Sequence, residues 1–390
     1  MKQSLIFSAV ILSLCVMSCS DKVRPENPDN TENGGDEIHV PVYDWDRYAS
    51  AAQASLENNF WREETGNYWI DNIHDDKTFY HYWQTAHAME TIMDAYERTG
   101  DDSYKERVRV VLARIRQSTG GRYTNQFYDD MAWMGIACLR AYDLFGEEEY
   151  MNAASVLWED VQTGWVAPDG GMLWNKNPED VSKRNSCTHW TVADFAVKMY
   201  RHTARKADLD FALKVYKWAY GNLYDSVSGG AYGSSDNKSF LTYNQGVLIG
   251  SSINLYDITK RPVYRQVAEK CADFCINNDK FGKEGIWRDE GAKDDLNRNN
   301  GVFKGILCHY IKELVFSEHC ARDKRKAYIQ YMEQMGLTLY NAVGPDWLIA
   351  GDWTRAAGSG ERIYLGCQLS GVVLMECNSA FSRKYPEYMK

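Results

Sequence analysis

The sequence predicts an all-α protein folded as an (α/α)6 barrel, a closed ring of six helical hairpins. Apolar residues recur with helical spacing in about twelve segments of the chain. A short pattern that joins one helix to the next repeats along the chain, as in stacked helix pairs. Alternate helices are also richer in Ala, Gly and apolar residues, which is typical of helices buried in an inner ring.

The predicted helices divide into inner and outer members by their composition. They cover residues 44–60, 82–99, 102–117, 129–145, 147–161, 189–204, 208–221, 243–258, 261–277, 302–316, 323–341 and 365–382. The even-numbered helices carry small residues that permit close packing, such as Gly135 in the fourth and Gly250 in the eighth. We therefore expect the even-numbered helices inside and the amphipathic odd-numbered helices outside.

A tyrosine in five of the six inner helices marks the repeat. Tyr96, Tyr142, Tyr200, Tyr256 and Tyr310 follow one another at intervals of 46, 58, 56 and 54 residues. In three of these units a second tyrosine follows eight residues later, across a short turn. An open solenoid of helix pairs would show the same repeat. Closure is favoured because neither end of the chain carries an obvious polar capping repeat.

The N-terminal segment predicts export. Residues 1–19 contain a short apolar run followed by Cys19, which is typical of a lipoprotein signal peptide whose cysteine becomes the lipidated N-terminus. The alternative is an ordinary signal peptide in which Cys19 has no role. Residues 20–41 are rich in Pro, Gly, Asn and acids and predict a flexible tether, so that 42–390 form the barrel domain. We expect an exported, membrane-anchored lipoprotein on the cell surface or in the periplasm.

Composition limits the partners of this protein. The net charge of −10 argues against nucleic acid, which requires a basic face. Aromatic residues make up 13% of the chain and suit a carbohydrate site, because sugar rings stack on aromatic side chains. The cysteines after Cys19 have no metal-ligand spacing and no His-Glu-x-x-His motif occurs, so we expect neither metal nor cofactor. We expect most of these cysteines to be buried as free thiols. One or two disulfides are the alternative in an exported protein.

The adjacent acids Asp129 and Asp130 are the strongest candidate for a catalytic site. They begin a predicted helix among aromatic and apolar residues, where burial beside a like charge raises a carboxyl pKa. The other Asp-Asp pairs, at 75–76, 101–102 and 294–295, have polar surroundings that indicate turns, a helix cap and loops. One protonated and one ionised carboxyl group is the arrangement that glycoside hydrolysis requires.

Five short stretches follow one another along the chain: 83–88 (WQTAHA), 128–133 (YDDMAW), 170–175 (GGMLWN), 242–246 (TYNQG) and 303–306 (FKGI). Together they resemble glycoside hydrolase family 76, the bacterial endo-α-1,6-mannanases. The resemblance implies the same barrel, endo-acting cleavage of α-1,6-mannan and a retaining mechanism. Asp129 would be the nucleophile and Asp130 the general acid and base. It implies a polysaccharide as the partner, and we expect a monomer that contacts the membrane only through its lipid anchor.

Further residues near these stretches are candidates for binding the substrate. They are Tyr128, Trp174, Asn175, Asp236, Asn244 and Gln245. Each has a structural alternative: Trp174 could pack in the core, Asn244 and Gln245 could cap the eighth helix, and Asp236 could lie in a solvated turn. Lys304 could equally reach solvent or ligand.

The chain departs from the family pattern at 183–190 (KRNSCTHW), where only Asn185 matches. His189 and Trp190 could alter a sugar subsite or could be packing residues. Two other functions stay open: a transglycosidase on the same barrel, and a glycan-binding surface lipoprotein without catalysis. A helical scaffold without a sugar site fits the aromatic-rich loops least well.

Overall fold

A computed structural model describes residues 43–76, 82–166, 170–177, 184–291 and 297–390. Most of these residues are helical. The helices are α1 Trp45–Phe60, α2 Tyr82–Thr99, α3 Asp102–Ser118, α4 Tyr128–Phe145, α5 Glu148–Gln162, α6 Ser186–Thr203, α7 Lys206–Asn222, α8 Thr242–Thr259, α9 Pro262–Asn277, α10 Asn297–Asn300, α11 Phe303–Phe316, α12 Arg322–Ala342 and α13 Leu365–Lys384. The predicted signal peptide, Cys19, the predicted tether and the pair at 294–295 lie outside the described residues.

The inner helices close into a ring, which confirms the (α/α)6 barrel. Helices α2, α4, α6, α8, α11 and α13 pack against one another in that order, and α13 packs in turn against α2. Helices α3, α5, α7, α9 and α12 form the outer layer. The first helix, α1, packs against the last, α13, so the two ends of the chain together make the sixth hairpin. This contact is what excludes an open solenoid.

The repeated tyrosine marks the turn between an inner helix and the outer helix that follows it. The residue four positions after each of the first four tyrosines has a left-handed backbone, with φ between 53° and 68°. These residues are Gly100, Gly146, Ala204 and Lys260. Their N–H groups donate to the carbonyl oxygens of the four tyrosines Tyr96, Tyr142, Tyr200 and Tyr256, respectively, at 2.8–2.9 Å. This is the αL stop that ends a helix without leaving its last carbonyl groups unpaired.

The fifth tyrosine does not belong to this series. Each of the other four lies three residues before the end of its helix, whereas Tyr310 lies six residues before the end of α11. Its hydroxyl group points into the barrel and donates to Asp194 Oδ2 at 3.1 Å. The ring also fills space left by Gly250, where a Cβ atom would lie 2.1 Å from it. The repeat prediction is wrong at this position because interior packing fixes the direction of the side chain.

Short elements between the helices were not predicted. Strands β1 Trp61–Arg62 and β2 Asn67–Tyr68 form one antiparallel hairpin, and β3 Gly282–Lys283 and β4 Ile286–Trp287 form another. Helix boundaries otherwise differ from the predicted ones by a few residues, the largest change being that α6 begins at Ser186 rather than at 189. The eight cysteines of the described chain are buried and unpaired. No described helix is both long and apolar enough to cross a membrane.

Candidate active site

The adjacent acids lie in the first turn of α4, one residue after its start at Tyr128. The preceding loop is fastened to residues 170–177: the Tyr128 N–H group donates to Trp174 O at 3.0 Å, and Phe127 forms a β-bridge with Asn175. Two glycines at 170–171, with φ of 78° and 88°, let this second loop turn back sharply. The start of α4 is therefore fixed by backbone contacts before any side chain acts.

Asp129 is buried, with 6% of its surface exposed. Its Oδ1 atom accepts from the Asp130 N–H group at 3.0 Å, and its Oδ2 atom accepts from the Thr188 hydroxyl group of α6 at 3.3 Å. The Cys187 thiol of α6 is a further group that lowers the pKa of this carboxyl group. Burial raises the pKa of Asp129 to about 6, against the opposing effect of these donors. The group is consequently ionised at neutral pH.

Asp130 has the opposite character. Burial raises its pKa most, and the charge of Asp129 raises it further, so that it lies well above the ordinary value. A hydrogen bond from Asn125 lowers this pKa in part. The Asn125 Nδ2 atom lies 2.6 Å from Asp130 Oδ2. At neutral pH the pair holds one proton, and Asp130 carries it. The catalytic role of each acid stays a prediction.

A cavity of about 740 Å³ opens in front of Asp130. Its walls come from the starts of α2 and α4, the end of α3, the loops before α4 and α6, and α10. The lining residues are Tyr82, Trp83, Ser118, Thr119, Arg122, Thr124, Asn125, Gln126, Phe127, Asp130, Trp174, Lys176 and Asn299. Trp174 and Phe127 stand side by side with ring centroids 5.0 Å apart. We call this space the mouth cavity; its volume lies in the range of small-ligand sites.

A second cavity, of about 540 Å³, occupies the other end of the barrel. Buried ion pairs line it: Asp94 contacts Arg140, His309 and Lys312, while Lys198 contacts Asp194 and Glu313. These opposite charges neutralise each other, which offsets the cost of burying them at this end of the barrel.

Comparison with known proteins identifies the family. The model of glycosyl hydrolase family 76 matches residues 44–383 of this chain. The chain belongs to this family. The match includes the twelve barrel helices that are longer than one turn, with only the last residue of α13 beyond its end.

The solved and curated relatives of this family 76 hydrolase include mannanases. The structure of the α-1,6-mannanase from a Salegentibacter species is 31% identical, covers 86% of this chain and 99% of its own, and has a TM-score of 0.80. An inactive variant of that enzyme, with two adjacent aspartates changed to asparagine, was solved with α-1,6-mannotriose. The mannan endo-1,6-alpha-mannosidase of Saccharomyces cerevisiae is 23% identical, and the match covers 83% of this chain and 77% of the yeast protein.

Of the predicted substrate-binding residues, Trp174 alone lines the mouth cavity. Asn175 is 3% exposed and its Oδ1 atom accepts from Asn177 N–H at 2.8 Å, so that it shapes the loop. Tyr128 is also buried, and its hydroxyl group lies 3.3 Å from Thr163. Both residues hold the loops around the site in place, and neither lines the mouth cavity.

The side chain of Gln245 is hydrogen-bonded within the protein, which is a structural role. It is fully buried; its Oε1 atom accepts from Ala231 N–H at 2.7 Å and its Nε2 atom donates to Ala231 O and Leu241 O. Asn244 is also fully buried, but in the described chain neither of its amide atoms has a partner of good geometry. It remains a candidate for binding substrate.

The departure at His189 has a structural explanation. The fourth residue of α6, α8 and α13 is His189, Gln245 and Gln368, respectively. Each accepts a backbone N–H from the loop before its helix, namely from Met172, Ala231 and Ile349, at 2.7–2.9 Å. His189 therefore fastens a loop, and burial lowers its pKa to about 3, so the ring is neutral.

The other uncertain side chains also have structural surroundings. Trp190 is fully buried against Tyr216. Asp236 is exposed in a turn where Ser234 donates to it, which is the turn alternative. Lys304 is 3% exposed, and its Nζ atom donates to Gly351 O at 2.6 Å.

The sequence did not single out Asn125, Cys187 or Thr188 as site residues, although all three contact the acid pair. Helix position could have found two of them: Cys187 and Thr188 are the second and third residues of α6, as Asp129 and Asp130 are of α4. Asn125 precedes its helix and had no such signal. Within the described ranges, no group of three His, Cys, Asp or Glu side chains could hold a metal ion.

Proposed function

We propose that this family 76 hydrolase is a retaining, endo-acting α-1,6-mannanase with Asp129 as nucleophile and Asp130 as acid and base. The observation that carries the proposal is the opposite ionisation of two neighbouring carboxyl groups, of which Asp130 lines the mouth cavity. The activity printed for the Salegentibacter and yeast relatives supports the substrate. A protein that only bound glycan would gain nothing from the cost of burying this pair.

In the first step, the Asp129 carboxylate attacks C1 of a mannosyl unit while Asp130 gives its proton to the glycosidic oxygen. The C1–O bond breaks, the leaving chain departs with that proton, and a mannosyl ester remains on Asp129. The leaving chain would occupy the mouth cavity beside Trp174, since an acid must stand on the side of the leaving oxygen. Asn244, buried at the start of α8, would offer its amide to a sugar hydroxyl group.

In the second step, esterification has removed the charge of Asp129, which lowers the pKa of Asp130 and makes it a base. Asp130 then takes a proton from water, and the water oxygen attacks C1. The ester bond breaks and Asp129 regains its negative charge. The product keeps the α configuration because C1 is inverted twice.

The test is digestion of debranched α-1,6-mannan by the wild type, with products sized over time and the first-formed anomer read by proton NMR. We expect a ladder of oligosaccharides with the α anomer first. A first-formed β anomer would overturn the retaining mechanism, and mannose as the only early product would overturn endo action. Products longer than the starting chains, formed in excess acceptor, would instead indicate the transglycosidase.

Two variants test the roles of the acids. Asp129→Asn and Asp130→Asn should each lower turnover at least about a thousandfold while mannan binding is kept. The matched control is Asp102→Asn, since Asp102 is the second acid of another pair at a helix start but is exposed. Turnover near wild type in Asp129→Asn would contradict the mechanism.

We further propose that the protein is a monomeric lipoprotein attached through Cys19. The composition of residues 1–41 supports this, as described above. Wild-type protein should fractionate with membranes and incorporate labelled fatty acid, whereas Cys19→Ala should do neither. Labelling of both would refute the anchor, and sedimentation of the barrel domain would check the monomeric state.

A further inference from the structure

The first turn of α6 carries two hydrogen-bond donors that meet Asp129. The Thr188 hydroxyl group lies 3.3 Å from Asp129 Oδ2, across 59 residues of sequence. The thiol of the preceding residue, Cys187, also lowers the pKa of this carboxyl group. Thr188 has no exposed surface, and Cys187 has 6%. Because little water reaches these side chains, a hydrogen bond here is electrostatically stronger than it would be on the surface.

Thr188 is held in place independently of Asp129. The Asn185 side chain caps α6 by accepting the Thr188 N–H group at 2.7 Å, which fixes the backbone at this residue. The next residue, His189, also fixes this turn, because its Nε2 atom accepts the Met172 N–H group of the preceding loop. The hydroxyl group is therefore aimed at the acid by a preorganised helix start and needs no movement to donate.

From this geometry we propose that Thr188, with Cys187 beside it, is a positioning residue that holds the Asp129 carboxylate ionised and fixed in direction. The proposal rests on the function proposed above, in which Asp129 is the nucleophile. A donor at this place stabilises the charged form of the acid more than the neutral form, since a hydroxyl or thiol proton is attracted more strongly by a carboxylate than by a carboxylic acid. The hydrogen bonds would also hold Asp129 in the rotamer from which it can attack.

The other groups around Asp129 would oppose this effect. Its titratable neighbours are Asp130 on α4, Cys187 on α6 and Tyr243 on α8, with Glu290 behind Tyr243. None of these groups is a cation. Among the described residues, no cation is a main cause of the pKa shift of Asp129, which burial raises; the groups that lower this pKa and so favour the carboxylate are hydrogen-bond donors without charge.

The experiment compares the pH dependence of kcat/KM for paired variants on debranched mannan. Thr188→Val keeps the shape but removes the donor, and Thr188→Ser keeps the donor; Cys187→Ala and Cys187→Ser form the second pair. We expect the acidic limb, near pH 6 in the wild type, to move upward by about one pH unit in Thr188→Val and less in Cys187→Ala. The two serine variants should restore it, and the basic limb should stay unchanged.

The control is Thr91→Val. Thr91 is a buried threonine of another inner helix, whose hydroxyl group donates to His87 O of its own helix at 2.8 Å. A role in packing alone would lower Tm and turnover in all the valine variants without moving the acidic limb, and that result would overturn the proposal. So would an equal shift in Thr188→Ser and Thr188→Val.

A readout without substrate separates this proposal from the proposed function. In the free protein, the carboxylate infrared band that disappears in Asp129→Asn should titrate near pH 6, and at higher pH in Thr188→Val. If the wild type fails to cleave mannan but the band shifts, the positioning stands and the proposed function falls. If mannan is cleaved and the band does not shift, the positioning is overturned.

Discussion

The Asn125 Nδ2 atom lies 2.6 Å from Asp130 Oδ2, in front of the helix on which that acid stands. An amide NH2 group can only donate, so Asp130 Oδ2 acts as the acceptor. The proton of the carboxyl group is therefore on Oδ1. Asn125 also lines the mouth cavity, which places this bond at the entrance for the leaving group. It therefore fixes the direction in which Asp130 presents its proton.

Asn125→Ala should lower kcat about tenfold and shift the basic limb of the pH–rate profile to higher pH. Asn125 holds the pKa of Asp130 down, so its removal raises that pKa further and the acid stays protonated to a higher pH. Steady-state kinetics across pH 5–9 would measure both effects. A suitable control is Asn277→Ala, which removes an exposed amide bonded to its own helix at Asp273 O. An unchanged basic limb would contradict this account.

Asp129→Asn should make the fold more stable at neutral pH although it removes activity. Burial raises the pKa of Asp129 from 3.8 to about 6, so the folded state binds its proton more tightly than the unfolded chain does. The resulting cost is absent below about pH 4, grows as the pH rises and is complete above about pH 6. We expect a gain in the free energy of unfolding on the order of 2 kcal/mol at pH 7.

Urea unfolding at pH 4 and at pH 7 measures this effect. The difference between Asp129→Asn and the wild type should nearly vanish at the lower pH. Asp102→Asn should show no such gain, because that carboxyl group is exposed. A variant less stable than the wild type at pH 7 would contradict the burial cost.

Trp174→Ala should raise KM for long mannan chains by about tenfold with a smaller change in kcat. The half-buried ring lines the mouth cavity beside Phe127, and stacking on a sugar ring stabilises the bound chain throughout the reaction. Tyr220→Ala provides the control, since that ring is 39% exposed and lies outside the cavity lining. Equal KM values in both variants would exclude Trp174 from binding.

Gly250→Ala should destabilise the barrel by about 1–3 kcal/mol, because the added Cβ atom would lie 2.1 Å from the Tyr310 ring. Gly221→Ala is its matched opposite: Gly221 lies in α7 with no atom within 4 Å of the new Cβ. That change should instead stabilise the protein by about 0.5–1 kcal/mol. Thermal unfolding of both variants checks the pair. A stable Gly250→Ala would show that the inner ring is looser than the structure indicates.

The sequence by itself determined the architecture and the position of the acids. Helical periodicity, the repeated turn and small residues on alternate helices are local properties, since they follow from backbone geometry within one hairpin. The pair at 129–130 could be chosen over the other Asp-Asp pairs because apolar neighbours in sequence are also neighbours in the first turn of a helix. The short turns after the tyrosines were also visible as a repeating pattern, whereas their αL backbone came from the structure.

Only the tertiary structure decided which side chains face the reaction. The sequence left Gln245 open as a sugar ligand or a cap of α8, and His189 as a subsite residue or a packing residue. In the structure, backbone N–H groups of the loops before α8 and α6 donate to both side chains. Tyr310 left the repeat because Gly250, on a different helix, made room for its ring. Thr188 reaches Asp129 from 59 residues away. The physical reason is the same in each case: a side chain's partner is set by helices that pack beside it, and their register does not follow from the local sequence.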